Sequence, residues 1–210
     1  METCKKERKR TGLLYVLAVA LAAGSLMLGG CDDENGGFVM SLQPSYTAAD
    51  LEVDKELEGS WATEEGNVTF RFEQGDGKQY RVAVKETQGG RESSAEFEAH
   101  FMRLGTFWFV DFFPNGSAAG GEFYQMHLFR VHSMARIELS QDAMQMTFLD
   151  GTWLQKKVEE KSVDVSYQKA EGELLLTGTT EEVQNLLFLH GNDSEAFPAP
   201  ILLSRQEIEQ

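Results

Sequence analysis

Apolar and polar residues alternate through much of the chain between Leu57 and Arg205. Hydrophobic side chains occupy every second position over 68–72 and 80–84, and a Gly-Asp-Gly turn at 75–77 separates these two segments. The same alternation recurs at 97–101 and 144–148. Such alternation is typical of strands with one buried face. Because the intervening turns are short, we expect consecutive strands to pair in an antiparallel sheet.

One segment differs from this pattern because it is apolar on both faces. Residues 107–113 read Phe-Trp-Phe-Val-Asp-Phe-Phe and end at Pro114. This pattern predicts a central strand that is covered on both sides. With at least six consecutive strands, the sequence predicts a mainly β fold, an antiparallel up-and-down barrel.

Two short helices are predicted in the C-terminal third. Thr-x-x-Gln at 152–155 and Thr-x-x-Glu at 179–182 both have the form of a capping box, and Gly191 is placed to end the second helix. Residues 163–168 and 173–177 are candidates for a further hairpin, and Ile201–Leu203 for a final strand.

The N-terminus has a different character from the rest of the chain. Basic residues at 5–10 precede an apolar run over 13–28, which is short for a membrane span. The run ends in Leu28-Gly29-Gly30-Cys31, which resembles the lipobox of bacterial lipoproteins. That resemblance implies cleavage before Cys31 and a membrane anchor of acyl chains such as palmitate on this cysteine. The alternative is an uncleaved N-terminal anchor with an incidental cysteine.

These patterns divide the chain into four parts. We expect a lipoprotein signal peptide over 1–30, a flexible acidic tether over 31–56, the barrel domain over 57–205 and a tail over 206–210. No cysteine follows Cys31, so the mature domain has neither a disulfide framework nor a free catalytic thiol. The expected location is the bacterial cell envelope, with inner and outer membrane both left open.

Charge excludes one class of partner. The chain has 19 basic and 34 acidic residues. Five of the basic and two of the acidic ones precede Cys31, which leaves 14 basic and 32 acidic groups and a formal charge of −18. Such a charge repels phosphate backbones, and no basic cluster offsets it. We therefore expect no nucleic-acid binding.

Residues at the two ends of the barrel segment resemble a known family. The Gly59-x-Trp61 motif opens the first strand, and Arg205 lies in the closing region. This arrangement resembles the lipocalin-like, or calycin, barrels, and implies that Arg205 covers the indole of Trp61. The alternative is an ordinary core tryptophan in another antiparallel fold. Arg103-Leu104-Gly105 followed by Phe109-Val110-Asp111 is similar to segments of bacterial lipoproteins of this length, a similarity that implies no activity.

Asp111 is the most informative candidate site residue. Burying an isolated ionised carboxylate costs several kcal/mol of folding free energy. Asp111 must therefore be paired with another group, be protonated, or lie at the edge of the sheet. Arg130 and His132, in the next strand, are the candidate partners. The pair is either structural or the polar end of a ligand cavity.

Aromatic and methionine side chains supply a second candidate site. Trp108, Met126, Met144 and Met146 suit a pocket for a flexible apolar ligand, although core packing explains the same residues. His127 and His132 are five residues apart and would lie on opposite faces of a regular strand, which disfavours shared metal ligation. We expect neither a metal nor a cofactor.

Three functions follow from these observations. The first is a membrane-tethered, non-catalytic module that binds a small apolar or amphipathic ligand. The second is an envelope interaction or assembly factor that docks a protein partner through its acidic surface and two helices. The third, a hydrolase built on Asp111 and a histidine, lacks the usual nucleophile and zinc motifs. A filled or an empty barrel interior would distinguish the first two.

Overall fold

The computed structural model describes residues 37–116, 128–170 and 173–207, and in these ranges the fold is mainly β. Two α-helices interrupt the late strands, and a 3-10 turn covers Lys55–Leu57. The strands are β1 (Met40–Ser41), β2 (Gly59–Ala62), β3 (Val68–Gln74), β4 (Gln79–Gln88), β5 (Arg91–Leu104), β6 (Phe107–Pro114), β7 (His132–Leu139), β8 (Ala143–Phe148), β9 (Tyr167–Ala170), β10 (Glu173–Leu176) and β11 (Ile201–Gln206), and the helices are α1 (Gly151–Glu159) and α2 (Thr180–His190).

Eight strands form a closed antiparallel barrel. Their order is β6-β5-β4-β3-β2-β11-β8-β7, and pairing of β6 with β7 closes the ring. The predicted barrel of lipocalin-like form is therefore confirmed. The order follows the chain except for β11, which returns to lie between β2 and β8. The hairpin expected near 163–177 is also present, as β9 paired with β10 beside β1, outside the barrel ring.

The two ends of the barrel differ, and we name each after a residue. The Trp61 end carries the turns at 75–78, 105–106 and 140–142 and the 3-10 turn. The Phe38 end carries the turns at 63–67 and 89–90, the last residue of β6 and the first of β7. Phe38 lies at this end because its ring is 4.4 Å from that of Phe148, the last residue of β8.

The barrel wall separates two hydrophobic cores. Because side chains alternate along a strand, neighbours on β6 face opposite sides of the wall. Val110 and Phe112 belong to the interior core, whereas Phe109 packs in the outer core against residues of both helices. This double coverage explains why residues 107–113 are apolar on both faces.

The expected flexible tether over 31–56 is wrong for residues 37–56. Residues 39–52, which we call the N-terminal strap, lie along the outer face of the barrel. β1 pairs with β7 and β10, and the Glu52 amide donates to the Phe101 carbonyl at 2.9 Å. Val39 and Ser45 are 3% and 0% exposed. The strap packs because its apolar positions complete the outer core. Residues 31–36 lie outside the described ranges.

The helix boundaries confirm one predicted cap and correct the other. Thr179 caps α2 by accepting from the Glu182 amide at 3.2 Å, as the sequence predicts. Helix α1 begins earlier than expected, because Asp150 rather than Thr152 is its N-cap and accepts from the Trp153 amide at 2.6 Å. Within the described ranges, no helix is both long and apolar enough to cross a bilayer.

Candidate functional site

The Gly59-x-Trp61 signature and Arg205 meet at the Trp61 end of the barrel. Trp61 is 0% exposed, and its indole N–H donates to the Leu57 carbonyl at 2.9 Å. The guanidinium carbon of Arg205 lies 4.2 Å from the centre of the indole ring. The predicted contact between Trp61 and Arg205 is therefore confirmed. Arg205 also donates to the carbonyls of Glu56, Glu58 and Gln141, so it ties the 3-10 turn to the turn before β8.

Gly59 is required by the same contact. Its φ is +121°, a backbone conformation that side-chain-bearing residues rarely adopt. An added Cβ would lie 2.9 Å from Nη1 of Arg205. The glycine of the signature thus leaves room for the arginine that covers the tryptophan.

Asp111 lies beneath the strap on the outer face of the barrel wall. It is 0% exposed. Its Oδ2 accepts from the amide and the hydroxyl of Ser45, at 2.8 and 2.7 Å. Its Oδ1 lies 2.6 Å from Nδ1 of His132. Both carboxylate oxygens are therefore used, and one side chain ties the strap to β6 and β7. We call Asp111, Ser45 and His132 the clasp.

Of the two partners that the sequence suggests for Asp111, the structure selects His132. His132 lies on the same outer face of β7, and its side chain is 11% exposed. Arg130 was the other candidate, and that expectation is wrong. Its Nη1 donates instead to the Pro114 carbonyl at 3.4 Å, and its guanidinium lies 5.9 Å from the centre of the Phe113 ring. Because Arg130 precedes β7, it stays at the exposed Phe38 end.

A second histidine flanks the clasp. His100 is the cross-strand partner of Asp111 on β5, and the ring of Tyr46 stacks on it at 4.2 Å. Burial lowers the pKa of His100, against the opposing effect of the Asp111 charge. Burial, together with the charges of Asp111 and Glu98, raises the pKa of Tyr46 to about 12. The lowered pKa of His100 favours its neutral imidazole, and the raised pKa of Tyr46 favours its neutral phenol.

Sequence reasoning missed Ser45 and Tyr46, because both fall in the segment interpreted as a tether. The available signal was the apolar run Phe38-Val39-Met40 before them, which is too hydrophobic for a solvated linker. His100 was also missed, because it was not among the candidate site residues. The sequence does contain a signal for its position. If β5 and β6 form a hairpin with a two-residue turn at 105–106, the pairing register places His100 directly opposite Asp111.

The residues assigned to an apolar pocket do not join Asp111. Met144 and Met146 are 1% and 0% exposed in the interior core, and Trp108 packs against that core with its ring 4.8 Å from Phe101. Asp111 and His132 face the other side of the wall, so the barrel backbone lies between the two groups. Met126, His127 and Cys31 lie outside the described ranges.

The order of groups in the clasp differs from that of a nucleophilic triad. In a triad the histidine lies between the nucleophile and the acid, because it must accept the nucleophile's proton. Here Asp111 lies in the middle and binds Ser45 and His132 through different oxygens. Over the part of the chain that the structure describes, no group of three His, Cys, Asp or Glu side chains is arranged to hold a metal. This geometry is suited to fastening the strap.

The described residues thus define a closed eight-stranded antiparallel barrel, with a tryptophan–arginine contact at one end and a strap fastened to its outer wall. Comparison with protein-family models, with curated proteins and with solved structures found no match.

Proposed function

We propose that the chain is a lipid-anchored, non-catalytic protein of a bacterial cell envelope that docks a protein partner through its outer surface. The observation that carries this proposal is that packed side chains fill the barrel interior, while apolar side chains are exposed on α2. This is the second of the three functions considered from the sequence.

The packing of the barrel interior favours docking of a protein partner over binding of a small ligand inside the barrel. Trp61, Phe72 and Phe101 are at most 1% exposed, as are Met144 and Met146. A ligand inside the barrel would have to displace several of these side chains. A small antiparallel barrel can fill its interior with side chains alone and needs no bound ligand to do so.

Helix α2 presents apolar residues on its outer as well as its inner face. Val183, Leu186 and Leu187 are buried, whereas Phe188 and Leu189 are 51% and 72% exposed. A Cβ added at Gly105 would lie 2.6 Å from the ring of Phe188, which places the end of α2 beside the β5–β6 turn at the Trp61 end. Adjacent exposed apolar side chains in an acidic surface suit a partner with an apolar contact rimmed by basic residues.

A charge introduced on α2 tests the docking surface. We expect Leu189→Lys to reduce the amount of co-purifying partner at least tenfold, because it places a cation against a basic rim and removes apolar contact. Leu202→Lys is the matched control, because Leu202 is 62% exposed on β11, away from α2. The measurement is native mass spectrometry of each variant isolated from its own envelope membranes.

The outcomes separate the candidate functions. A partner lost only with Leu189→Lys supports docking on α2. Equal retention by both lysine variants contradicts it. A small molecule that co-purifies in place of a protein contradicts docking and supports ligand binding instead.

One observation supports that second candidate. A cleft of about 240 Å³ lies outside the wall formed by β3, β4 and β5. Its lining includes Arg71 and Arg81 together with Glu73 and Glu96, and Ala83 supplies a small side chain there. Arg71 is ion-paired with Glu73 at 2.7 Å, so Arg81 is the cation that would receive the acidic head of a small amphipathic molecule, with no change to the barrel interior.

The anchor is supported by the lipobox-like sequence ending at Cys31. We expect Cys31→Ser to leave an unprocessed precursor that retains residues 1–30 and carries no acyl chain, because the cysteine is both the acceptor of the lipid and the residue after the cut. Intact-mass measurement of the chain checks this. Cys4→Ser is the control and is expected to mature normally. Normal cleavage of Cys31→Ser would contradict the lipoprotein proposal.

A further inference from the structure

We propose that the Phe38 end of the barrel is a membrane-contact surface, with Leu128 and Phe129 inserted at the lipid interface. This inference rests on the proposed acylation of Cys31. It goes beyond anchoring, because it assigns the orientation of the barrel and the residues that touch the bilayer.

Chain length limits how far this end can lie from the membrane. Six residue steps separate Cys31 from Gly37, the first described residue. A fully extended chain spans at most about 3.3–3.6 Å per residue, so Gly37 lies within about 22 Å of an acylated Cys31. Phe38 follows at once and contacts Phe148 at the rim of the barrel. The Phe38 end is therefore held close to the bilayer.

The same end exposes apolar side chains. Phe129 is 88% exposed, the largest value among the large hydrophobic residues that the structure describes, and Leu128 is 43% exposed. Both lie just before β7, where Arg130 donates to the carbonyl of Pro114 at the end of β6. Phe38 adds a third apolar group, at 40% exposure. Aromatic and leucine side chains are favoured at a bilayer interface, and a neighbouring arginine can reach the phosphate layer.

Charge indicates which lipid surface fits. Glu64 and Glu65 lie in the β2–β3 turn at this end, and Asp32, Asp33 and Glu34 follow Cys31. These carboxylates oppose an anionic surface, since cationic groups are what attract a chain to such lipids. The contact therefore suits a zwitterionic headgroup region, and the acyl chains rather than charge keep the protein there.

A depth measurement on the acylated full-length product tests the proposal. In mature protein the thiol of Cys31 is blocked by its lipid, so Phe129→Cys supplies the free thiol for an environment-sensitive fluorophore. Leu189→Cys is the matched control, because Leu189 is 72% exposed near the Trp61 end. Both proteins are reconstituted in phosphatidylcholine vesicles that contain a nitroxide-labelled lipid. We expect quenching by the lipid to be several-fold greater at 129 than at 189, and quenching by aqueous iodide to show the reverse.

Each other outcome overturns the proposal in a recognisable way. Equal access of both labels to iodide, with the protein still bound to vesicles, rejects the membrane-contact surface and leaves the anchor intact. A mature chain whose mass includes no acyl group rejects the anchor, and the membrane-contact surface with it. Because both replaced side chains are exposed, we expect neither label to disturb the fold. Unchanged thermal unfolding midpoints check this.

Discussion

Replacing Asp111 by alanine is expected to destabilise the domain by about 3–5 kcal/mol, the range for breaking a buried hydrogen-bonded pair by removing one of its members. The variant leaves the Ser45 amide and hydroxyl and Nδ1 of His132 without their acceptor. Water cannot readily replace that acceptor, because Asp111 and Ser45 are both 0% exposed. A residue at a solvent-reached cavity mouth would cost nearer 1 kcal/mol. Chemical denaturation measures the difference, provided that the slope of the transition is unchanged.

Two further variants make this result specific to the clasp. Ser45→Ala removes the hydroxyl bond but keeps the amide bond, so it is expected to cost about 1–3 kcal/mol, less than Asp111→Ala. Arg130→Ala is expected to cost under about 0.5 kcal/mol, since Arg130 is exposed and does not contact the carboxylate. A larger loss for Arg130→Ala than for Asp111→Ala would show that the carboxylate does not hold the strap.

The barrel was predictable because alternating apolar and polar residues directly indicate strands with one buried face. Strands β3, β4 and β8 appear in the sequence as regular runs. The side of the wall that Asp111 faces was not predictable. Because β6 is apolar on both faces, its sequence pattern does not show which face points into the barrel. An assignment to the interior and one to the outer core fit the sequence equally well.

The strap was missed for a different reason. Its pairing with β7 and β10 involves two residues, too few to give a periodic signal. Its burial depends on contacts more than 50 positions away in the chain, including those from Ser45 to Asp111 and from Tyr46 to His100. Among the polar residues at 43–50, Ser45 and Tyr46 hydrogen-bond to the wall, whereas Gln43 and Thr47 are exposed. Composition alone therefore cannot distinguish a fastened strap from a linker.

The two proposals assign complementary roles to the barrel ends. Under these proposals an acylated Cys31 and Phe129 would hold the Phe38 end at the bilayer, and the Trp61 end would be directed away from it. Leu189 lies near that second end and is then accessible to a partner in the aqueous compartment. The clasp fastens the strap to the wall, and the strap is the segment through which the proposed anchor would be connected, so loss of Asp111 is expected to loosen this connection first.

Replacing Trp61 by alanine is expected to cost about 3–5 kcal/mol, the range for removing a large buried aromatic side chain. The indole is 0% exposed, and its N–H satisfies the carbonyl of Leu57, so the variant leaves both a cavity and an unpaired acceptor. Arg205 also loses the ring that it covers. The free energy of unfolding in denaturant measures the loss. Leu202→Ala, on the same strand as Arg205 but 62% exposed, is expected to change it by under about 0.5 kcal/mol.

A double-mutant cycle isolates the contact that defines this end of the barrel. Trp61→Leu, which removes the aromatic ring, Arg205→Gln, which removes the cation, and the double variant are compared with the wild type. Because Arg205 also donates to three backbone carbonyls, its single variant mixes hydrogen-bond loss with loss of the ring contact. The coupling free energy separates them and is expected to be about 0.5–2 kcal/mol, the range for a cation over an aromatic face. A coupling near zero would mean that Arg205 stabilises the barrel by joining its turns, and that Trp61 acts through its volume and its hydrogen bond to Leu57.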